Sequence, residues 1–215
     1  MSSASDLDQV AVLDLVPVIP VVVLERIEHA VPVAQALAAG GLPVVELTLR
    51  TPVALDAIRA IAAEVPAVTI GAGTVTHPGQ AERAAEAGAQ FLVSPGSTPS
   101  LIDAMRSTDL SFVPGTATVS EVLRALESGC TDLKLFPAEV VGGIGLLKAI
   151  GSVLPQARFC PTGGITPATA ATYRALPNVA CVGGSWLTPP DLLAAEDWPR
   201  ITQLAAAAAG TAPTP

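Results

Sequence analysis

Short apolar runs alternate with longer amphipathic segments along most of the chain. The runs are rich in Val and Ile, and the Ala/Leu/Glu/Arg stretches between them have the spacing of surface helices. The eight candidate strands are Val16 to Val23, Val44 to Thr48, Val68 to Ala72, Phe91 to Ser94, Ser111 to Pro114, Leu133 to Phe136, Arg158 to Pro161 and Val179 to Val182. The pattern therefore predicts a series of strand–helix units.

Residues that favour helix ends support these boundaries. The second predicted helix has Pro52 in its first turn and Pro66 after its end. His77 is interpreted as a helix-start residue. Three threonines are predicted to cap later helices, with a capping box in "TVSE": Thr98, Thr118 and Thr166.

The order of elements predicts parallel pairing, because each strand needs a helix to carry the chain back across the sheet. Eight units in 215 residues predict one domain, 1–215, folded as a (β/α)8 or TIM barrel. A doubly wound open sheet is the alternative, but no GxGxxG follows the first strand. Residues 1–15 are expected to hold a short N-terminal capping helix, around Ala4 to Leu13, and residues 210–215 a disordered tail.

The segment "DLKLF" places a lysine inside an apolar strand. Since strand side chains alternate, Lys134 shares one face with Asp132 and Phe136, while Leu133 and Leu135 share the other. The leucines suit the helix-packed outside of a barrel, so Lys134 is predicted to point inward. Asp132 is expected either to balance the charge of Lys134 or to lie at the barrel floor.

The same alternation applies to "VVELTL" in the second strand. Glu46 is predicted to face the interior with Val44 and Thr48, while Val45 and Leu47 face outward. A carboxylate and an ammonium from two strands then face one interior. A structural ion pair is one interpretation, but desolvation makes buried pairs poor stabilisers, which favours a functional pair.

Polar residues and glycines follow several strands at their carboxyl ends, where barrel enzymes build their sites. They are Arg50 after strand two, Thr74 in "GAGT", Pro95 and Gly96 after strand four, Thr162, Gly163 and Gly164 after strand seven, and Gly183, Gly184 and Ser185 after strand eight. The glycine pairs after the last two strands indicate a phosphate site made of backbone N–H groups. Arg50, four residues after Glu46, is a candidate clamp for a carboxylate or phosphate.

Charge and composition limit the classes of ligand that the protein is expected to bind. With a net charge of −8 and a pI near 4.6, the chain lacks the clustered Lys and Arg that nucleic-acid or anionic membrane surfaces require. We therefore expect a small-molecule ligand, no nucleic acid and no membrane. No signal-peptide pattern is found, and three cysteines without CxxC spacing predict reduced thiols in a cytoplasmic protein. His29 and His77 lack metal-ligand spacing, so no metal is expected.

Seven strings, in their order and spacing, resemble one enzyme family. They are "GGLPVVELTLRTPVALDAI", "GAGTV", "FLVSPG", "PGTATVSE", "LKLFPAEVVGG", "CPTGGI" and "VGGSWL". From about Val16 to Ile201 the chain is similar to the 2-dehydro-3-deoxy-phosphogluconate (KDPG) aldolases of the Entner–Doudoroff pathway. The resemblance implies a (β/α)8 barrel of the class I aldolase type, a homotrimer, no metal or other cofactor, and Schiff-base catalysis by lysine. It implies a phosphorylated keto-acid substrate, and many members of the family also act on 4-hydroxy-2-oxoglutarate.

The resemblance also assigns site residues, motif by motif. Lys134, before "FPAE", matches the Schiff-base lysine, and Glu46, before "LRT", matches the catalytic glutamate. An amine buried among apolar side chains has its charged form disfavoured, which leaves some neutral amine able to attack a ketone. The other matches are Arg50 and Thr74 at the substrate carboxylate, Pro95 and Phe136 in the pyruvyl pocket, Thr162 near the substrate hydroxyls, and Gly163, Gly164, Gly184 and Ser185 at the phosphate.

Other functions stay open at this point. The galactonate-derived epimer of the substrate differs at one hydroxyl, and the sequence does not separate the two. A phosphosugar isomerase or epimerase of the same fold has no use for a lysine nucleophile. A non-catalytic trimeric scaffold explains the fold, but not the co-location of Glu46, Lys134 and Arg50.

Overall fold

The computed structural model describes residues 11–210. The strands are β1 Val18–Val22, β2 Val44–Thr48, β3 Thr69–Gly73, β4 Phe91–Val93, β5 Ser111–Val113, β6 Gly115–Thr116, β7 Asp132–Leu135, β8 Arg158–Pro161 and β9 Val182–Gly184. The α-helices are α1 Ala30–Ala39, α2 Ala54–Glu64, α3 Pro78–Glu86, α4 Pro99–Arg106, α5 Val119–Glu127, α6 Gly143–Val153, α7 Pro167–Arg174, α8 Pro190–Ala194 and α9 Trp198–Ala209. Val12–Asp14 and Ile27–His29 form short 3₁₀ helices.

The strands of the described chain pair in parallel and form two sheets. One sheet has the order β5-β4-β3-β2-β1-β9 and the other has the order β6-β7-β8. The order follows the chain from β1 to β5, without the reversal of a doubly wound sheet. Isolated parallel bridges join Phe159 to Val179 and Thr162 to Gly183, so β8 also lies beside the segment that contains β9. The fold is α/β, with parallel strands joined by helices.

Six of the eight predicted strands are confirmed, with ends within two residues of those observed. The fifth, Ser111 to Pro114, is also present, but the chain continues beyond it as β6. Pro114 divides β5 from β6 because its ring nitrogen has no hydrogen to donate. Its carbonyl oxygen still accepts a hydrogen bond of 3.0 Å from the backbone N–H of Lys134. Phe91 to Val93 on β4 pair with β5, whereas β6 pairs with β7.

The predicted eighth strand, Val179 to Val182, is wrong in its position. Gly183 and Gly184 were expected to follow the strand, and glycine has a low strand propensity. Pairing with β1 overrides that preference, since Val182, Gly183 and Gly184 are aligned with residues of β1. Gly184 is suited to this place because a Cβ there would lie 2.8 Å from the Trp186 ring. Gly183 and Gly184 are therefore strand residues rather than the loop residues that were expected.

The predicted caps of four helices are confirmed, but Pro52 precedes the cap residue of α2, which begins at Ala54, and does not lie in its first turn. Thr98 caps α4 by accepting from the backbone N–H of Leu101 at 3.3 Å. Thr118 caps α5 in the expected capping box, and Thr166 occupies the cap position of α7. His77 caps α3, where its Nδ1 accepts from the backbone N–H of Gly79 at 3.2 Å.

The predicted ends of the chain fall largely outside the described residues. Most of the expected helix Ala4 to Leu13 lies there, and its described end contributes to the 3₁₀ helix Val12–Asp14. Of the predicted tail 210–215, only Gly210 is described. Between residues 11 and 210, no helix is both long enough and apolar enough to cross a membrane.

Candidate active site

A buried ion pair joins the two sheets across the interior. Lys134 on β7 and Glu46 on β2 have Nζ and Oε1 3.0 Å apart. The two residues are only 4% and 2% exposed, respectively. Leu133 and Leu135, on the other face of β7, are also buried. The predicted meeting of Lys134 and Glu46 in one interior is confirmed.

A glycine on the neighbouring strand makes room for Glu46. Gly73 is the last residue of β3, and β3 pairs with β2 along its length. A Cβ at Gly73 would lie 2.5 Å from Glu46 Cγ and 2.7 Å from its Cδ. Both distances are far inside normal carbon contact, so any larger residue would displace the carboxylate. The string "GAGT" contained this glycine, but nothing in the sequence tied it to Glu46.

Arg50 and Thr74 lie together at the carboxyl ends of β2 and β3. Arg50 Nε donates to Thr74 Oγ1 at 3.3 Å, and Arg50 is exposed to solvent. Thr74 has a φ of 59°, a conformation that is uncommon for a β-branched residue and concentrates at functional sites. The structure thus brings together the two residues predicted to hold a substrate carboxylate.

Phe136 and Pro95 flank the lysine. The Phe136 ring centroid lies 5.5 Å from Lys134 Nζ. Pro95 follows β4 and packs its backbone against Gly115, where a Cβ would overlap the Pro95 carbonyl group. Gly115 is in turn the Cα partner of Lys134 between β6 and β7. Both residues therefore lie on the lysine side of the site, and their predicted role in a pyruvyl pocket stays a prediction.

The two glycine-rich segments predicted to bind phosphate are neighbours, because the Thr162–Gly183 bridge holds the end of β8 beside β9. Gly163 and Gly164 have φ values of 99° and 81°, which glycine adopts without steric cost. Thr162 is buried and lies against Gly183, with its Oγ1 3.8 Å from Cys160 Sγ. Gly184 ends β9, and the exposed Ser185 follows it.

A cavity of about 440 Å³ opens beside Ser185, between the ends of β1 and β9. Val21 and Val23 line it, together with residues of the segment that follows β1. Val21 is the Cα partner of Glu46, but neither Lys134 nor Glu46 lines the cavity, and Ser185 is the one predicted site residue that does. A larger cavity of about 540 Å³ lies around the start of β5 and β7. We assign the phosphate end of the site to the smaller cavity, because Ser185 lines it and it opens at the carboxyl ends of the strands, the side on which Lys134 and Glu46 meet.

Asp132 does not balance the charge of Lys134. It stands at the amino end of β7, where Arg158 Nη1 lies 3.4 Å from its Oδ1. Burial raises the pKa of the Asp132 carboxyl, and the charge of Arg158 opposes that rise. Of the two alternatives, the position at the floor of the fold is the one observed.

Neither histidine lies in a metal-binding arrangement. His77 is the cap of α3, and His29 is buried with its ring 5.5 Å from that of Trp198. Within the part of the chain that the structure describes, no three His, Cys, Asp or Glu side chains converge in a way that could hold a metal ion.

One pair of residues near the glycine loop was missed by sequence reasoning. Tyr173 on α7 donates from Oη to Glu139 Oε1 at 2.6 Å, and Glu139 packs against Gly164. Glu139 stands in the quoted string "LKLFPAEVVGG", but no local spacing rule links it to a tyrosine 34 residues further along. Its role depends on how the two loops approach each other in space.

The fold and site together define an enzyme of a particular class. Parallel strands carry a buried lysine in contact with a carboxylate, and an arginine stands at the same end of the sheet. This combination is typical of enzymes that act on carbonyl compounds through a lysine nucleophile.

Comparison with known proteins identifies the family. The aldolase family model described as KDPG and KHG aldolase matches residues 10–204. The chain therefore belongs to the KDPG and KHG aldolase family, and it is an aldolase, a carbon–carbon lyase.

Individual relatives agree with this assignment. The 2-dehydro-3-deoxy-phosphogluconate aldolase of Pseudoalteromonas atlantica is 52% identical over 189 residues, which is 88% of each chain. The KHG/KDPG aldolase of Escherichia coli K12 is 52% identical over 195 residues, covering 91% of this chain and 92% of that one. Among solved structures, the KDPG aldolase of Legionella pneumophila, with pyruvate captured as a covalent carbinolamine, has a TM-score of 0.91 at 47% identity. That match covers 93% of this chain and 97% of the other.

Proposed function

We propose that the protein is a class I aldolase that cleaves 2-dehydro-3-deoxy-6-phosphogluconate to pyruvate and glyceraldehyde 3-phosphate. We also propose that it cleaves 4-hydroxy-2-oxoglutarate to pyruvate and glyoxylate. The observation that carries the proposal is the buried contact of 3.0 Å between Lys134 Nζ and Glu46 Oε1. We propose the gluconate-derived substrate rather than its galactonate epimer. A relative named for the gluconate substrate is 52% identical to this chain, whereas a structure described as KDPGal is 30% identical.

Lys134 is the nucleophile in this proposal. Its ammonium passes one proton to Glu46, and the neutral amine attacks the C2 ketone of the substrate to form a carbinolamine. Glu46 returns the proton to the carbinolamine oxygen, which leaves as water and gives a protonated imine. The imine withdraws electrons from the C3–C4 bond and so acts as the electron sink of the reaction. We propose that no metal or other cofactor takes part, since the imine on Lys134 supplies this function itself.

Glu46 is the general base. Its carboxylate takes the proton of the C4 hydroxyl, the C3–C4 bond breaks, and glyceraldehyde 3-phosphate leaves. The electron pair remains as an enamine on Lys134. Glu46 then returns a proton to C3 through water, and hydrolysis of the imine releases pyruvate. The contact between Glu46 and the lysine supports this role, because the base must act within a few ångströms of the imine.

The groups around this pair orient the substrate. We assign Arg50 and Thr74 to the substrate carboxylate, Thr162 to the substrate hydroxyls, and Pro95 and Phe136 to the pyruvyl pocket. The phosphate is assigned to the backbone and hydroxyl of Gly163, Gly164, Gly184 and Ser185. Binding at these remote points supplies energy that aligns the reacting carbons.

We also propose a closed (β/α)8 barrel that assembles as a homotrimer in the cytoplasm. Closure is supported by the two bridges beside β8 and by the Lys134–Glu46 pair between the sheets. The trimer is supported by the family resemblance and by apolar side chains left open to solvent, such as Val140 at 83% and Val153 at 63% exposure. The free thiols of the three cysteines support a reducing compartment.

Trapping the imine tests the proposal. The protein is incubated with pyruvate and borohydride, and the modified residue is mapped by mass spectrometry. The chain has two lysines, so a carboxyethyl group is expected on the buried Lys134 and not on the exposed Lys148. Lys148→Met is the matched control and should label fully, whereas Lys134→Met should not label. A native protein that stays unmodified contradicts the proposal.

A further inference from the structure

The loop that follows β7 is tied to the loop that follows β8. The backbone N–H of Ala138 donates to the Thr162 carbonyl oxygen at 2.8 Å, and that of Glu139 donates to the Gly163 carbonyl oxygen at 3.1 Å. Because a planar trans peptide points its C=O and the following N–H in opposite directions, these two bonds direct the N–H groups of Gly163 and Gly164 away from the loop after β7. The Glu139 side chain packs against the same glycine segment.

Glu139 lies directly on the glycine loop. A Cβ at Gly164 would come within 2.6 Å of Glu139 Cγ and 2.7 Å of its Cβ. Gly164 therefore has to be glycine for two reasons, its φ of 81° and the side chain above it. This close packing puts a carboxylate beside the loop to which we assign the phosphate. A free carboxylate there would repel a phosphate dianion bound at the backbone N–H groups of the loop.

Tyr173 fixes the direction of that carboxylate. Its hydroxyl donates to Glu139 Oε1 at 2.6 Å, a short bond of the charge-assisted kind. Tyr173 is 1% exposed, and a Cβ at Gly143, the first residue of α6, would lie 2.5 Å from its hydroxyl oxygen. Burial, together with the hydrogen bond and charge of Glu139, raises the pKa of Tyr173 well above its ordinary value. The phenol therefore stays protonated and remains a donor at all physiological pH values.

We propose that Tyr173 is a positioning residue for phosphate recognition, which holds the Glu139 carboxylate away from the N–H groups of Gly163 and Gly164. The inference rests on the proposed phosphate site and deepens it by naming what keeps the site open to an anion. Tyr173 does not touch the reacting carbons. Its loss is expected to affect substrates that carry a phosphate and to spare those that do not.

The test compares two substrates in the Tyr173→Phe variant. For 2-dehydro-3-deoxy-6-phosphogluconate, KM should rise about tenfold or more, in line with the loss of a hydrogen bond to a charged group, while kcat changes little. For 4-hydroxy-2-oxoglutarate, which has no phosphate, both constants should stay near those of the native protein. Inhibition by inorganic phosphate should weaken by a factor similar to the rise in KM.

A second substitution separates charge from packing. In the double variant Tyr173→Phe with Glu139→Gln, the released side chain is neutral, and KM for the phosphorylated substrate should return most of the way to the native value. Thr202→Val is the matched control, because it removes a hydroxyl that bonds the Ala36 carbonyl oxygen at 3.0 Å between α9 and α1. That variant should change thermal stability without changing the ratio of the two KM values.

Three results would overturn the inference: equal loss of activity toward both substrates in Tyr173→Phe, an unchanged KM for the phosphorylated substrate, or no rescue by Glu139→Gln. Imine trapping with pyruvate and borohydride is measured in parallel on the same variants. If the native protein traps pyruvate but Tyr173→Phe shows no phosphate-dependent defect, this inference fails alone. If the native protein does not trap pyruvate, the proposed function fails as well.

Discussion

At the scale of single residues, the Lys134–Glu46 contact combines two requirements that oppose each other. A nucleophilic lysine has to lose its proton, whereas a general base has to be ionised when substrate is bound. The contact of 3.0 Å allows the two side chains to share a proton before the ketone arrives. Removing either partner leaves the other buried without its counter-charge, so substitutions should be isosteric.

Glu46→Gln separates imine formation from bond cleavage. The amide keeps the size of the side chain but cannot accept the C4 hydroxyl proton. We expect turnover to fall by roughly 10² to 10⁴, the usual contribution of a general base, while borohydride trapping of pyruvate on Lys134 is retained in part. Steady-state cleavage rates and trapping yields are measured on one preparation, and unchanged turnover would remove Glu46 from the mechanism.

Arg50→Gln tests the carboxylate clamp. Arg50 bonds Thr74 at 3.3 Å, and its loss should lower kcat/KM for cleavage by roughly ten- to a hundredfold, the range for a hydrogen bond to a charged group. Arg59→Gln is the matched control, since Arg59 is an exposed residue of α2 that pairs with Asp56. Equal effects of the two substitutions would argue against a role for Arg50 at the site.

At the scale of elements, the end of β3 sets the position of the Glu46 carboxylate. Gly73→Ala would add a Cβ where Glu46 Cγ now lies. The carboxylate should move away from Lys134, so we expect a large fall in turnover with a folded protein. Gly145→Ala on α6 is the control, because a Cβ there meets no atom within 4 Å. Full activity in Gly73→Ala, measured by cleavage rate beside circular dichroism, would contradict the close packing.

The start of α5 carries a pH-dependent contribution to stability. Burial raises the pKa of the Glu121 carboxyl. Hydrogen bonds from the backbone N–H groups of Ala117 and Thr118 and from the Thr118 hydroxyl together lower it by more than burial raises it, so the pKa lies below its ordinary value. The stabilisation is therefore present above the ordinary glutamate pKa and is lost as the pH falls through the lowered one.

Thr118→Ala should lower the free energy of unfolding by about 1 kcal/mol, the typical cost of losing a helix cap. Glu121→Gln should make the stability of α5 less sensitive to acid. Urea unfolding at neutral and at mildly acidic pH, at one protein concentration, measures both effects. Ser120→Ala, at an exposed position of the same helix, is the control and should change neither.

Some of these structural features can be predicted from the sequence and others cannot. The inward direction of Lys134 and Glu46 was predicted because side-chain alternation is a local rule that every strand obeys. The position of β9 was not predicted, since pairing with β1 overrides the weak strand preference of Gly183 and Gly184. The hydrogen bond between Tyr173 and Glu139 depends on helix α7 meeting the loop after β7 in space, which no sequence period encodes.

At the scale of the whole molecule, the proposed trimer gives a direct prediction. The native mass from light scattering should be three times that of one 21.6 kDa chain. Exposed Val140 and Val153 are expected to lose solvent access on assembly, which hydrogen exchange of their segments would detect. A native mass equal to that of one chain, at the concentrations used for assays, would contradict the trimer.

The uneven placement of the two lysines has a practical consequence. Lys134 is 4% exposed, whereas Lys148 on α6 is open to solvent. A bulky amine-reactive ester on a resin cannot enter the interior, so within the described chain Lys148 is the one lysine side chain through which the protein can be attached. Every immobilised molecule joined through this side chain would then be anchored at the same residue of α6, with the reactive amine left free for catalysis in flow.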